Sequence, residues 1–374
     1  MLIRIRRTRD EISNGILPPA TGHPFGWRFS LTWEFTTMRQ TRKHPNRAGA
    51  LSQGVVYRKS PGLYTVHAEG RAVLCSVLSR LRRDLVGLTF DKNHTSTKQR
   101  TEGVYEGIDP LAIGDRVEFI VAQDGTGVIV SVLPRRNKLS RRSAVPMPSA
   151  RPFEQVIAAN VDQVIPVFSA ARPAPKWNLL DRYLVTAEAA GIPAAICINK
   201  IDLEPEGDGF SQTVEEYRAV GYPVFLTSTV NGDGLGEFRH ALQGRFSVFL
   251  GKSGVGKTSL INALMGLHRC VDAVNRKTGK GNHTTTSVEM ISLESDGAIA
   301  DTPGVREFGI WDLHDQELAH CFREMRPYLG QCRFRLDCLH IDEPGCAVRR
   351  AVVSGQISPR RYRSYQRLLE ENSR

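Results

Sequence analysis

No stretch of this chain stays apolar for the roughly 18 to 20 residues that cross a bilayer, so a membrane-spanning protein is not expected. The first residues, MLIRIRRTRD, are basic. No compact apolar segment with a small-residue cleavage site comes after them, so no secretory signal is read there. Together these absences predict a cytoplasmic protein. The chain also lacks an even set of cysteines: it has 7, and three of them cluster near the C-terminus with a histidine. In a cytoplasmic chain that pattern favours a metal site over disulfides. Acidic residues fall short as well. Lys and Arg number 50 against 39 Asp and Glu, a formal charge of +11. Such an excess suits a polyanionic partner: nucleic acid, a ribonucleoprotein or an anionic membrane. What is present is enough to build real cores, with 41% hydrophobic residues. A length of 374 residues predicts two or three domains.

Residues 1–50 are basic, carry Pro18, Pro19, Pro24 and Pro45, and show no clear period. They read as a flexible basic extension, with Met38 as a candidate native start. Residues 51–135 hold five short β-branched or aromatic runs: 55–57, 63–66, 72–75, 117–121 and 127–130. Five strands in so short a span predict a small β-barrel, of the OB type or an SH3-like module. A long polar loop, Asp91 to Glu106, interrupts it. Residues 136–152 read as a basic linker, whose charge either grips RNA phosphates or is simply solvated. From 153 to 319 strands alternate with helices, which predicts a parallel α/β sheet with right-handed crossovers. Residues 320–374 form a Cys- and Arg-rich unit, expected to be mostly helical.

Gly251-Lys252-Ser253-Gly254-Val255-Gly256-Lys257-Thr258 matches the phosphate loop G-x-x-x-x-G-K-[ST], and Ser259 opens the helix behind it. Its glycines let backbone N–H groups wrap phosphates, Lys257 neutralises the β and γ oxygens, and the Thr258 hydroxyl reaches Mg²⁺. Asn199-Lys200-Ile201-Asp202 lies before this loop in the chain. An ionised Asp202 can accept from both N1–H and N2–H₂ of guanine, whereas adenine has no donor at N1. Adenine would leave a carboxylate unpaired, which argues against an ATP kinase. Lys200 can lay its stem on the base, and Asn199 can tie the two loops together. Ser228 and Thr229 end the next strand and suit a backbone N–H to the guanine O6. Asp301-Thr302-Pro303-Gly304 can hold Mg²⁺ through Asp301 and sense the γ-phosphate through the Gly304 N–H. Thr285, in a run of threonines, is the choice for a second Mg²⁺ hydroxyl. A glutamine is missing after Gly304; Val305 stands there and cannot orient water. His283 is the nearest candidate for that task, or else a structural loop residue.

Cys332, Cys338, His340 and Cys346 make a complete tetrahedral set with no open position, which predicts one structural Zn²⁺. Cys75, Cys197, Cys270 and Cys321 are isolated and read as packing residues. Arg333, Arg335, Arg349, Arg350, Arg360, Arg361, Arg363 and Arg367 surround the metal set and run into a last helix expected to bury Tyr362, Tyr365 and Leu369. Together they look like a platform for rRNA.

These motifs, in this order, resemble the RsgA (YjeQ) family of circularly permuted GTPases that depend on the small ribosomal subunit. The resemblance runs from about residue 51 to the end, and includes Ala158-Ala-Asn-Val-Asp162 and Arg361-Tyr-Arg-Ser-Tyr365. It implies an N-terminal OB domain, a permuted GTPase core and a C-terminal zinc domain. It also implies late maturation of the small (30S) subunit, contact with its 16S rRNA, and GTP hydrolysis stimulated by that subunit, by a monomer with no membrane partner. Asn282 departs from the family, which often has Arg before the His. The alternative is a GTP-dependent rRNA-binding module in which hydrolysis is incidental, a reading that Val305 keeps open. The inverted motif order would set the γ-phosphate switch between two RNA-binding arms.

Overall fold

Five strands of alternating pattern close into a ring. They are β1 (Leu51–Ser60), β2 (Leu63–Ala68), β3 (Arg71–Val77), β4 (Arg116–Val121) and β5 (Gly127–Val132). They pair in the order β1-β2-β3-β5-β4 and back to β1, with only the β3–β5 pair parallel. The inward positions Val56, Tyr64, Val66, Cys75, Val117, Phe119 and Ile129 form the barrel core. This ring decides between the barrels expected from sequence in favour of the OB type. The computed structural model describes residues 50–82, 111–142, 154–205, 209–266, 289–293, 296–301 and 313–372. The N-terminal extension, the Asp91–Glu106 loop, Cys270, Asn282, His283, Thr285, Gly304 and Val305 lie outside them.

Part of the segment read as linker is strand. β6 (Lys138–Arg142) pairs antiparallel with β7 (Glu154–Ala159). Charged residues disguise it: only Leu139 is fully buried, while its neighbours reach solvent. After β7, Asn160 and Asp162 knit the barrel to the α/β sheet. Asn160 Nδ2 donates to the Gly114 carbonyl (2.9 Å), and Asp162 Oδ2 accepts from the Phe246 N–H (2.8 Å). Beside them the buried Asp115 carboxylate takes both Arg135 (2.7 Å) and the Ala112 N–H (2.8 Å).

The α/β part of the sheet, joined to the barrel through β12 and β1, comprises β8 (Gln163–Ser169), β9 (Ile196–Asn199), β10 (Val224–Leu226), β11 (Phe246–Leu250), β12 (Glu289–Ser292) and β13 (Ala298–Asp301). Their spatial order is β10-β9-β8-β11-β13-β12, parallel except for β12. β8 lies between two parallel neighbours and is buried along its whole length, which explains its unbroken apolar run. Helices α1 (Trp177–Ala189), α2 (Phe210–Ala219), α3 (Leu235–Leu242) and α4 (Lys257–Leu264) come after β8, β9, β10 and β11. From β8 the chain steps outward to β9 and β10, then returns to β11 on the other side. The crevice beyond the carboxyl ends of β8 and β11 is therefore a topological switch point, where such sheets bind ligands.

The C-terminal unit is built from short turns of helix, with α5 (Asp315–Leu318), α6 (Ala347–Val353) and α7 (Pro359–Asn372). Its core takes in Val185 of α1, while Leu180, Tyr183 and Leu184 of the same helix pack against the sheet. Helix α1 is thus clamped on two faces, so seven of its 13 residues are buried.

Candidate functional site

β11 delivers residues 251–256 to the switch point, and α4 begins at Lys257. Gly256 caps that helix at φ 94, in left-handed backbone, without a side-chain cap. The first N–H groups of α4 are left to face the loop, the arrangement that receives phosphate oxygens. A Cβ at Gly256 would overlap Asn199 Nδ2, so glycine is needed here for space as well as for φ. Lys257 Nζ donates to the carbonyls of Gly251 (2.7 Å) and Lys252 (3.3 Å). Burial lowers the Lys257 pKa, and the Asp301 charge on the neighbouring strand opposes that shift. Thr258 is exposed at the start of α4, and Asp301 is half-buried at the end of β13.

Asn199 ends β9 fully buried. Its Nδ2 donates to the Val255 carbonyl in the phosphate loop (3.3 Å), and its Oδ1 accepts from Thr227 Oγ1 (3.3 Å). Lys200 turns at φ 64 and sends Nζ to the carbonyls of Arg172 and Gly254, each at 2.6 Å. Ile201 is half-buried behind it, and Asp202 is exposed, open to a ligand. The carboxylate of Asp202 is held by Ser228, whose hydroxyl donates to Oδ1 at 2.6 Å. The sequence suggests that Ser228 or Thr229 offers a backbone N–H to the base. Ser228 is engaged within its own loop: its N–H donates to the Asp233 carbonyl (3.0 Å), while its side chain holds Asp202. Thr229 stands half-buried next in the loop.

The four metal-ligand candidates meet. Their donor atoms lie within 4.8 Å of one another, and all four residues are buried. Cys332 Sγ is 3.8 Å from Cys346 Sγ and 3.5 Å from His340 Nδ1, which is 3.4 Å from Cys346 Sγ. A tetrahedral ion about 2.3 Å from each sulfur and about 2.0 Å from nitrogen puts donors roughly 3.5 to 3.8 Å apart, so the set fits a metal. The Ala347 and Arg349 N–H groups donate to the sulfurs of Cys332 and Cys346, supporting thiolate charge. Burial pushes the Cys338 thiol up to about 12; a cation among the sulfurs works in the opposite sense. The α7 tyrosines pin the ligand loop, Tyr362 to the His340 carbonyl (2.6 Å) and Tyr365 to that of Leu339 (2.7 Å).

Two of the arginines expected on an exposed platform are not there. Arg361 is buried, bonded to Asp181 (2.6 Å) and to Glu324 (2.6 and 3.1 Å). Burial pulls its pKa down, yet the Asp181 and Glu324 carboxylates hold it well above the ordinary value. Arg360 reaches Asp181 (3.3 Å) and Glu216 (3.0 Å). Both fasten the C-terminal unit to α1 and α2, a role that only the fold reveals. Arg333, Arg335, Arg349, Arg350, Arg363 and Arg367 are exposed as expected. Thr227, through its hydroxyl on Asn199, and Ser169 and Arg172, through backbone carbonyl contacts, also shape this site, and no motif announces them.

Known proteins are similar to this chain. The sequence model of the RsgA GTPase family matches residues 132–311. Over 325 residues the chain is 42% identical to the small ribosomal subunit biogenesis GTPase RsgA of Gemmatimonas aurantiaca, covering 85% of this chain and 96% of that protein. It is 44% identical over 262 residues to the protein of that name from Pseudomonas aeruginosa, covering 69% and 75%. Among solved structures it is similar to YjeQ from Thermotoga maritima, with TM-score 0.63 and 31% identity over 86% of this chain and 98% of that one. It is also similar to YloQ, a circularly permuted GTPase, with TM-score 0.60 and 29% identity over 88% and 97%.

Proposed function

The chain belongs to the RsgA GTPase family, and from that premise we propose that it hydrolyses GTP while bound to the small ribosomal subunit, late in the maturation of that subunit. One observation carries the nucleotide part. Asn199 of the guanine motif bonds to Val255 of the phosphate loop, so two motifs inverted in the chain share one site.

In this reading Asp202, aimed by Ser228, accepts the guanine N1–H and N2–H₂, and the Thr229 N–H meets O6. Lys200 flanks the base. The backbone from Gly251 to Ser259 wraps the phosphates, with Lys257 on the β and γ oxygens. GTP would draw Lys257 Nζ from the loop carbonyls that hold it here. Thr258 and Asp301 would hold Mg²⁺, which neutralises phosphate charge when bound. Roles for His283, Thr285 and Gly304 rest on the sequence motifs. We assign the metal at Cys332, Cys338, His340 and Cys346 as a structural zinc, because three thiolates and an imidazole close a tetrahedron with no place for water. No helix among the described residues is long and apolar enough to cross a membrane; the proposed role in ribosome assembly is one for the cytoplasm.

The test is GTP turnover with and without purified small subunits. Strong stimulation that vanishes in Lys257→Ala is expected. Equal slow rates in both conditions would make the protein a GTP-set rRNA-binding module instead.

A further inference from the structure

The N-terminal end of α1 and one face of α7 enclose a cleft of about 630 Å³. Five cations line it: Lys176, Arg182, Arg360, Arg363 and Arg367. Its one carboxylate, Glu371, is already paired with Arg182. Arg360 is engaged by Asp181 and Glu216. That leaves Lys176, Arg363 and Arg367, all exposed, with no acidic partner among the described residues. Helix α1 adds to the field. Its first turn holds no acidic residue and its N-cap, Lys176, makes no side-chain cap, so the positive end of the helix dipole is unopposed. Trp177 supplies an apolar wall, fixed by ring contacts to Phe210 (5.9 Å) and Tyr217 (6.0 Å).

We propose that this cleft grips the sugar–phosphate backbone of an RNA strand. The proposal rests on the small-subunit reading above and gives it a location. Three observations select a strand over a lone phosphate. Arg363 and Arg367 stand about 6 Å apart along one face of α7, a full helical turn, with room for more than a single phosphate group. Their guanidinium groups suit bidentate contact with phosphate oxygens. The tryptophan beside them offers a surface for a sugar or a base. Because α1 belongs to the GTPase domain and α7 to the C-terminal unit, a strand held here touches both.

The loop that leads into the cleft also touches the nucleotide site. The Arg172 carbonyl accepts from Lys200 Nζ (2.6 Å), and Lys176 lies four residues further on. Ser169 fastens the same loop by donating to the Pro173 carbonyl (2.7 Å).

The test compares the full-length protein with the Arg363→Gln/Arg367→Gln double variant and with Arg363→Lys/Arg367→Lys. Binding to purified small subunits and to isolated small-subunit rRNA is titrated over a series of KCl concentrations. Zinc content and Tm serve as the check on folding, and Lys176→Gln, on a different helix, is the independent second variant. Two lost phosphate contacts flatten the slope of log K against log salt by about 1.4 to 1.8. We expect that flattening on both probes, a loss of affinity of about tenfold or more, and a near-normal slope in the lysine variant. Wild-type affinity and slope in the glutamine variants would overturn the cleft. A loss seen only with whole subunits would assign the cleft to a ribosomal protein and overturn the RNA assignment. If the wild-type protein bound isolated rRNA through these residues but ignored small subunits, the cleft would stand and the assembly reading would fall.

Discussion

Arg361 offers the sharpest test of how the C-terminal unit is fixed to the GTPase domain. Replacing it by Met keeps an apolar stem in the same space and removes the charge. Asp181 would still have Arg360 at 3.3 Å and the Tyr217 hydroxyl at 2.6 Å. Glu324, whose side chain is 7% exposed, would lose both of its bonds to the guanidinium. Breaking a buried ion pair from one side costs roughly 3 to 5 kcal/mol. Since Asp181 keeps partners, we place Arg361→Met at the lower end, about 3 kcal/mol, a large share of the roughly 5 to 15 kcal/mol that holds a typical domain. Urea unfolding monitored by intrinsic fluorescence measures it. The double variant Arg361→Met/Glu324→Leu should recover much of the loss, because no carboxylate is then buried alone. A single variant within about 0.5 kcal/mol of wild type, or a double variant no better than the single, would refute the reasoning.

Gly256→Ala should weaken GTP binding by about tenfold or more, since left-handed backbone costs roughly 1 to 2 kcal/mol and the new methyl displaces Asn199. Gly254→Ala, at φ +85 but with its nearest neighbour 3.8 Å away, should cost less; equal losses in a fluorescent-nucleotide titration would contradict the clash. Removing the metal with a chelator should lower Tm and melt α6 and α7, because burial of four donors then has no ion to answer it; an unchanged circular dichroism spectrum would exclude a structural ion. His67 stacks flat on Tyr57 at 3.9 Å, and burial lowers its pKa. Its neutral form is the one that folding favours, so its stabilisation is complete above about pH 6.5 and declines as pH falls from there toward the lowered folded value. Tm measured across that window should fall more in wild type than in His67→Gln, and parallel curves would reject the assignment.

The guanine and phosphate-loop motifs and the Cys/His set stand out in the sequence because each is short and its chemistry demands its spacing. β10 and β11 are easy to see in sequence because their apolar runs are marked off by Pro223 and by Gly251. Elements with little apolar content were harder to see. β6 shows one buried side chain among charges, and β12, the short strand between β13 and the barrel, reads as E-M-I-S with Met290 its one buried residue. Roles set by distant partners were hidden altogether. Arg361 and Asp181 are 180 positions apart, so composition counted Arg361 as surface charge while the fold buries it. The engagement of the Ser228 N–H by Asp233 was hidden likewise, a contact of loop shape rather than of residue type.

β12 closes one side of the nucleotide sheet, and a bare edge strand is an open template for another chain. Here β1 of the barrel crosses it at Arg58 and Glu289, whose side chains stand 3.8 Å apart. The barrel therefore has a second use besides any contact with RNA: it shields the border of the GTPase sheet from a second copy. A core stripped of its barrel would keep its phosphate loop and guanine motif and yet be the fragment most prone to aggregate.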